Sequence, residues 1–359
     1  MRVHNFCAGP CTLPVPVLEE VREELLDFRG SGMSVIEMSH RSPEYEAVHD
    51  ETRDLFRETF GVPDGFSILF LQGGATLQFA IVPMNLLARR ATAGYVRSGT
   101  WGKGALRDAT ACGDVYAAWD GEPVSFRRMP LEDELDVRDG SRYLHVTSNE
   151  TIEGIRMTAF PDLGVPLVAD MSSDYLSRRV PWDLFEVVYG GAQKNLGPAG
   201  LAVVVIRTSL LASLSETLPS YLRLAAHEDK DSLLNTPPMF SIYVMGKVLR
   251  WIRDRGGVDE MSARATARSG AVYEAIDGSG GFYRSPVEVR DRSLMNVVFR
   301  TGSDELDSSF LKGAAQEGLV NLKGHRTVGG MRASIYNAMT DEGVDALVGY
   351  MAAFAEANG

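Results

Sequence analysis

Lysine is scarce in this chain: of 36 basic residues only six are lysines, at positions 103, 194, 230, 247, 312 and 323. Chemistry that needs a side-chain amine therefore has few candidates. Cysteine is scarcer still, and Cys7, Cys11 and Cys112 make an odd number without CxxC spacing, which speaks against a disulfide framework. The six histidines are scattered rather than paired, so no zinc or other metal site is legible. Small buried thiols are the ordinary reading of the cysteines. No uninterrupted apolar run approaches the length of a membrane span. The opening "MRVHNFCAGPCTLPVP" has no apolar core of signal-peptide length before its first prolines, and the expectation is a cytoplasmic protein. Positive charge is also in deficit, since 36 basic against 48 acidic residues leave a net −12. Such a balance argues against general affinity for nucleic acid or anionic membrane. Any anionic ligand must be held by a local cluster.

What is present is an ordinary globular composition on a long chain. At 359 residues the chain exceeds the size at which one core keeps growing, so two domains, or one large domain with a lobe, are expected. "PVPVLEEVREELLDF" carries apolar positions at helical spacing after prolines that suit a helix start. A second helix is expected over "SPEYEAVHDETRDLFRETFG", with Ser42 as cap and Gly61 as stop. "FSILFLQ" reads as a buried strand, "GGAT" as a turn, and "LQFAIVPMNLLA" as a helix interrupted or kinked at Pro83. "TAGYVRSG", "DVYAAW", "YLHVTS", "PLVADMSS", "EVVYGG" and "LAVVVIR" follow as short apolar segments between helical or loop material. That alternation predicts an α/β domain with a mainly parallel sheet. After about residue 250 the pattern changes to helix, strands "FYRS" and "MNVVFR", helix, strand "MRASIYN" and a last helix, which predicts a smaller α+β lobe.

Four places carry residues suited to chemistry. In "LFLQGGATLQF" a strand ends in paired glycines and a helix begins at Ala75 or Thr76; free amides at a helix start seat a phosphate, although glycines also make ordinary βα turns. Asp170 ends an apolar strand, where ligands approach an open α/β sheet. It is either a loop cap, a role open to Ser172 and Ser173 too, or the counter-ion of a protonated ring nitrogen. Lys194 sits among glycines in "YGGAQKNLGPAG", where the backbone lets a ring approach and an amine reach it. A solvated turn lysine is the plain alternative, and Lys103 in "GTWGKGA" is the rival amine. Trp101, bordered by glycines on an expected loop, is either core packing or a plate for a flat cofactor. Two His-Arg pairs, His40-Arg41 and His325-Arg326, and Arg332 supply cationic forks for carboxylate or phosphate.

"NFCAGP", "MSHRS", "LFLQGGATLQF", "GTWG", "SNETIEG", "ADMSSD", "GGAQKNLGPAG", "LNTPPMFSIY" and "KGHRTVGGMRASIYNA" occur in an order and spacing that resembles the phosphoserine aminotransferase family of class V, fold-type I pyridoxal-phosphate enzymes. The resemblance runs from residue 5 to the last helix. It implies an N-terminal arm over 1–13, a large cofactor-binding domain over 14–250 and a small domain over 251–359. It implies that Lys194 carries pyridoxal 5′-phosphate as a Schiff base and that Asp170 pairs with the pyridinium nitrogen. Trp101 would stack on the ring, Ala75, Thr76 and Gln193 would hold the cofactor phosphate, and Thr151 would face the ring hydroxyl. Asn235 and Thr236 would complete the phosphate site of a neighbouring subunit, making the active unit a homodimer. Arg332 would grip the substrate α-carboxylate, with His40, Arg41, His325 and Arg326 around the distal anion. The implied reaction is amino transfer between glutamate and 3-phosphohydroxypyruvate, giving phosphoserine and 2-oxoglutarate in serine biosynthesis. The family also serves a related step towards pyridoxine. The chain departs from the family at Thr76, often arginine, and at Ala8, often serine. Rival expectations are a serine–glyoxylate type aminotransferase, a cysteine desulfurase, for which no cysteine lies on a plausible active-site loop, and a non-catalytic cofactor carrier.

Overall fold

The computed structural model describes residues 2–87, 91–214 and 217–359. The chain begins with a two-residue strand β1 (His4–Asn5) and helices α1 (Val15–Glu24) and α2 (Pro43–Phe60). Helix α2 ends as its sequence dictates. The Ser42 hydroxyl accepts from the Tyr45 amide at 3.3 Å, and Gly61 closes the helix in the left-handed region at φ 64°. Strand β2 (Phe66–Gln72), α3 (Ala75–Leu86), β3 (Thr92–Arg97), α4 (Thr100–Ala109), β4 (Asp114–Asp120), β5 (Leu144–Thr147), the hairpin β6 (Asn149–Glu150) and β7 (Ile155–Arg156), β8 (Leu167–Asp170), β9 (Phe185–Gly191) and β10 (Leu201–Arg207) follow. Short helices α5 (Thr208–Leu211) and α6 (Leu224–Glu228) lead to α7 (Met239–Arg253) and α8 (Gly257–Asp277). The C-terminal part is β11 (Asn296–Phe299), α9 (Asp304–Gln316), β12 (Leu319–Val320), β13 (Met331–Ser334) and α10 (Asp341–Asn358).

Seven strands form one sheet in the order β2-β10-β9-β8-β5-β3-β4. All its neighbouring pairs are parallel except those of β10, which runs antiparallel to both β2 and β9. Strands buried on both faces read as continuous apolar runs, and "LAVVVIR" is buried along its whole length up to Arg207. Successive residues alternate between two cores. Val203 and Val205 pack with α2 and α7, while Val204 and Ile206 pack on the opposite side with Phe79 of α3 and Ala105 of α4. A third core, around Phe299, Phe310, Met331 and Leu347, belongs to the C-terminal part. The N-terminal strand β1 pairs in parallel with β12 of that part.

Two details differ from the sequence reading. "FYRS" makes only a single bridge, Arg284 to Arg300, rather than a strand. Trp101 stands in the first turn of α4 rather than on a loop. Pro83 lies inside α3, whose end still closes by the Leu87 amide onto the Pro83 carbonyl at 2.8 Å; Ala88, the end of the stretch read as that helix, lies outside the described residues, as does Met1 of the arm. Among the described residues no helix is long and apolar enough to cross a membrane, and no group of His, Cys, Asp and Glu side chains is placed to hold a metal.

Candidate active site

Because β10 is antiparallel to both its neighbours, β2 points the same way as β3, β5, β8 and β9. Their carboxyl ends, Gln72, Arg97, Thr147, Asp170 and Gly191, therefore gather along one edge of the sheet, where open α/β sheets receive ligands. Lys194 follows three residues after β9 ends. Its side chain is buried, and its Nζ donates to Thr151 Oγ1 at 2.6 Å and sits 5.7 Å from the centroid of the Trp101 ring. Burial draws the amine down from 10.5 to about 8, against the opposing pull of the Asp170 and Glu150 carboxylates. Such a group reaches its neutral, nucleophilic form close to physiological pH. Lys103 is exposed on α4, and Lys247 is buried but tied to Glu20 and Glu24. Lys194 is thus the lysine whose amine the fold places in the cleft without an ion pair.

Asp170 is buried at the end of β8, and Lys194 is the cation that opposes the rise of its carboxyl caused by burial. Ser172 holds one oxygen twice: its amide at 2.9 Å and its hydroxyl at 2.5 Å both donate to Oδ1. The same hydroxyl accepts from the Gly191 amide at 3.1 Å, which ties β8 to β9. Among the described residues no hydrogen bond engages Oδ2, which is left to accept from a ligand. Gly190 must be glycine, since a Cβ there would run into the Tyr175 ring and the Ser172 backbone. Below Lys194 the N-terminal arm closes the turn. The Cys11 amide donates to the Gln193 carbonyl at 3.0 Å, and its thiol, pushed up to about 12 by burial, contacts the Lys194 carbonyl.

Helix α3 starts without any side-chain cap after Gly74. The amides of Ala75 and Thr76, at its first two positions, have no helical acceptor by construction. That uncapped start, with Ala75 half-buried and Thr76 exposed, is a seat for an anion. Arg332 of β13 reaches the same cleft; its NH1 donates to the Thr151 carbonyl at 3.4 Å, and its buried Nε has no partner among the described residues. His325 lies on the loop before β13, bonded to Thr327 at 2.8 Å, and Arg326 beside it is exposed.

The residues present suit a planar aldehyde cofactor with a phosphate and a basic ring nitrogen. A buried amine, a ring plate, an uncommitted carboxylate oxygen and an uncapped helix start all lie along the same carboxyl edge of the sheet. The structure brings together Lys194, Asp170, Thr151, Trp101 and Arg332, with Gln193 adjoining Lys194. It does not bring His40, Arg41, Asn235 or Thr236 to that amine within this chain. His40 Nδ1 meets Thr236 Oγ1 at 3.3 Å, and the Thr236 carbonyl accepts from Gln72 Nε2 at 2.6 Å. Arg41, Asn235 and Thr236 are exposed there. The sequence reading missed Glu150 and Glu153, both buried beside Trp101, and the closing role of Cys11. The only signal of the first two was a pair of acids inside "SNETIEG".

The profile of the Aminotransferase class-V family matches residues 3–347. The phosphoserine aminotransferases of Niallia circulans and Laribacter hongkongensis are each 48% identical over 359 residues, covering 100% of this chain and 99% and 100% of those proteins. The solved phosphoserine aminotransferase from Bacillus circulans subsp. alkalophilus superposes with a TM-score of 0.98 at 48% identity, covering 100% of this chain and 99% of that one. A pyridoxal-phosphate-bound phosphoserine aminotransferase from Trichomonas vaginalis gives a TM-score of 0.93 at 35% identity, covering 98% of this chain and 100% of that one. With the fold, the cleft and these full-length likenesses in agreement, the chain belongs to the class V aminotransferases, within their phosphoserine aminotransferase family.

Proposed function

We propose that this protein is a pyridoxal-phosphate-dependent phosphoserine aminotransferase, moving an amino group reversibly between glutamate and 3-phosphohydroxypyruvate. The observation that carries the reading is the buried Lys194 amine, held by Thr151 beside the Trp101 ring and opposite Asp170. When bound, the cofactor supplies an aldehyde that accepts the amino group and a ring that takes up electrons. Lys194 would hold the cofactor's aldehyde carbon, and its amine would act as the base that takes the proton from the substrate α-carbon. Asp170 would keep a proton on the ring nitrogen through its uncommitted Oδ2. Ala75 and Thr76, with Gln193, hold the phosphate by amide, hydroxyl and side-chain donors. Arg332 clamps the α-carboxylate with its planar fork.

The distal anion, phosphate or side-chain carboxylate, falls to His40, Arg41, His325 and Arg326. Each charge-assisted contact contributes roughly 1.5–3 kcal/mol, and such a pocket reconciles dianionic substrates with a net charge of −12. Asn235 and Thr236 lie exposed beside His40 in this chain. That placement supports a homodimer in which they complete the phosphate seat of the second copy. The division into an arm (1–13), a large domain (14–250) and a small one (251–359), a cytoplasmic location and service to pyridoxine synthesis belong to the same proposal. The test is formation of 2-oxoglutarate from glutamate with 3-phosphohydroxypyruvate as acceptor. Equal rates with pyruvate or glyoxylate would overturn the substrate assignment.

A further inference from the structure

The start of α4 is the second helix N-terminus on the functional edge of the sheet, and it is fully occupied. Gly99, its N-cap residue, has no side chain to offer. Two carboxylates from the β6–β7 hairpin take the place of a cap. Glu150 uses both oxygens: Oε2 accepts from the Trp101 amide at 3.0 Å, and Oε1 accepts from the Gly102 amide at 2.8 Å and from the Ser98 hydroxyl at 2.9 Å. Glu153 uses one: Oε1 accepts from the Thr100 amide at 2.9 Å and hydroxyl at 2.6 Å, while Oε2 is buried without a partner among the described residues. The fit is close. A Cβ on Gly99 would stand 2.6 Å from Glu153 Oε2 and 2.7 Å from the Glu150 carboxyl carbon, and one on Gly102 would stand 2.6 Å from the Val96 carbonyl.

Burying two carboxylates side by side is costly, and burial pushes both carboxyls upward. A helix needs only one ordinary cap, worth about 1 kcal/mol, so capping alone does not account for the arrangement. What it fixes is the first turn that carries Trp101, whose ring stands 5.7 Å from Lys194 Nζ.

We infer that Glu150 is a positioning residue for the cofactor site: by gripping the Trp101 and Gly102 amides it sets the height and tilt of the Trp101 ring over the Lys194 amine, with Glu153 securing the adjoining Thr100. The two acids are not equivalent in this role. Both Glu150 oxygens accept from backbone amides, Oε2 from Trp101 and Oε1 from Gly102, so an amide there would set N–H against N–H at one of the two contacts. On Glu153 an amide keeps its oxygen on Thr100 and turns its nitrogen to the side that has no donor.

The inference rests on the placement of Trp101 against the cofactor ring and not on the substrate assignment. It is tested on full-length protein by titrating pyridoxal phosphate into the stripped enzyme, following tryptophan fluorescence and the visible circular dichroism of the bound cofactor. Glu150→Gln is expected to weaken binding about tenfold, as leaving one buried amide without its acceptor does, and to change the dichroism. Glu153→Gln is expected to leave both near the native values.

Asp307→Asn serves as a matched lesion. Asp307 is a buried carboxylate in the C-terminal part that accepts from the Thr301 amide and hydroxyl at 2.7 Å each, so its loss lowers the melting temperature without touching cofactor affinity. Native affinity and dichroism in Glu150→Gln, or an equal loss in Asp307→Asn or Glu153→Gln, would overturn the inference. Trp101→Ala separates the two readings. If it too binds normally, the placement of Trp101 has failed; if it binds poorly while Glu150→Gln does not, only the positioning role has. Should Glu150→Gln not fold, hydrogen exchange on the native protein decides. The Trp101 and Gly102 amides are expected to be protected before cofactor is added, and rapid exchange there refutes the grip.

Discussion

The buried amine of Lys194 makes a prediction about the stability of the cofactor-free protein. Burial lowers it from 10.5 to about 8. Between those values the unfolded chain binds a proton that the folded chain does not, so stability rises with pH through that window. With 10.5 as the unfolded value, holding the ammonium buried costs about 3 kcal/mol at about pH 8 and below about 1 kcal/mol at about pH 10. This one group therefore stabilises the apoprotein by about 2 kcal/mol more at the higher pH. Lys194→Met removes the titration while keeping an apolar stem of similar length. It also strips Asp170 of its counter-charge, a penalty common to both pH values once that carboxyl is ionised, so it drops out of the comparison. Urea unfolding of the two apoproteins at both pH values gives the difference directly. Wild type should gain about 2 kcal/mol on the variant as pH rises. A difference that stays flat, or that moves the other way, would show that the amine is not held desolvated in the empty cleft, and the account of its nucleophilicity would go with it.

Other outcomes follow from the same geometry. Lys194→Ala should abolish amino transfer and, after borohydride reduction, covalent retention of the cofactor under denaturing filtration; retention would move the attachment to Lys103. Ser172→Ala removes a donor from Asp170 and leaves the Gly191 amide buried without its acceptor, so it should cost about 2–4 kcal/mol of stability in urea titrations and lower kcat. Arg41→Ala and Arg326→Ala should chiefly raise KM for the phosphorylated substrate with kcat little changed, as measured by steady-state kinetics. Gly190→Ala should destabilise by about 1–3 kcal/mol through overpacking against Tyr175, read as a lowered urea midpoint.

Local chemistry made much of the fold legible. Ser42 and Gly61 bound α2 because a hydroxyl cap and a left-handed glycine are written at the ends of the segment they terminate. The strands β8, β9 and β10 announce themselves as apolar runs because both faces of the sheet are covered. Trp101 was harder. "SGTWGKG" has three glycines, one of them at the N-cap position, so it reads as loop. Its helix begins where it does because carboxylates some fifty positions later supply the missing acceptors, and no window of local sequence contains that information. The closure of the Lys194 turn by Cys11 is non-local in the same sense, since the two contacting positions are 183 residues apart. Lys194 and Asp170 stand out as candidates beside plainer readings, a solvated turn lysine and a loop cap, until the family resemblance chooses between them, and only the folded chain sets them within electrostatic reach of each other.

The two helix starts on this edge also explain how a chain of net charge −12 can direct an anion to one place. Helices α3 and α4 follow β2 and β3, strands that point the same way, and both would attract a phosphate through free amides and dipole. At α4 the attraction is cancelled by Glu150 and Glu153, which occupy the Thr100, Trp101 and Gly102 amides. At α3 the Ala75 and Thr76 amides carry no cap. Of the two helix starts, the one at Ala75 is therefore the one that keeps free amides for an anion.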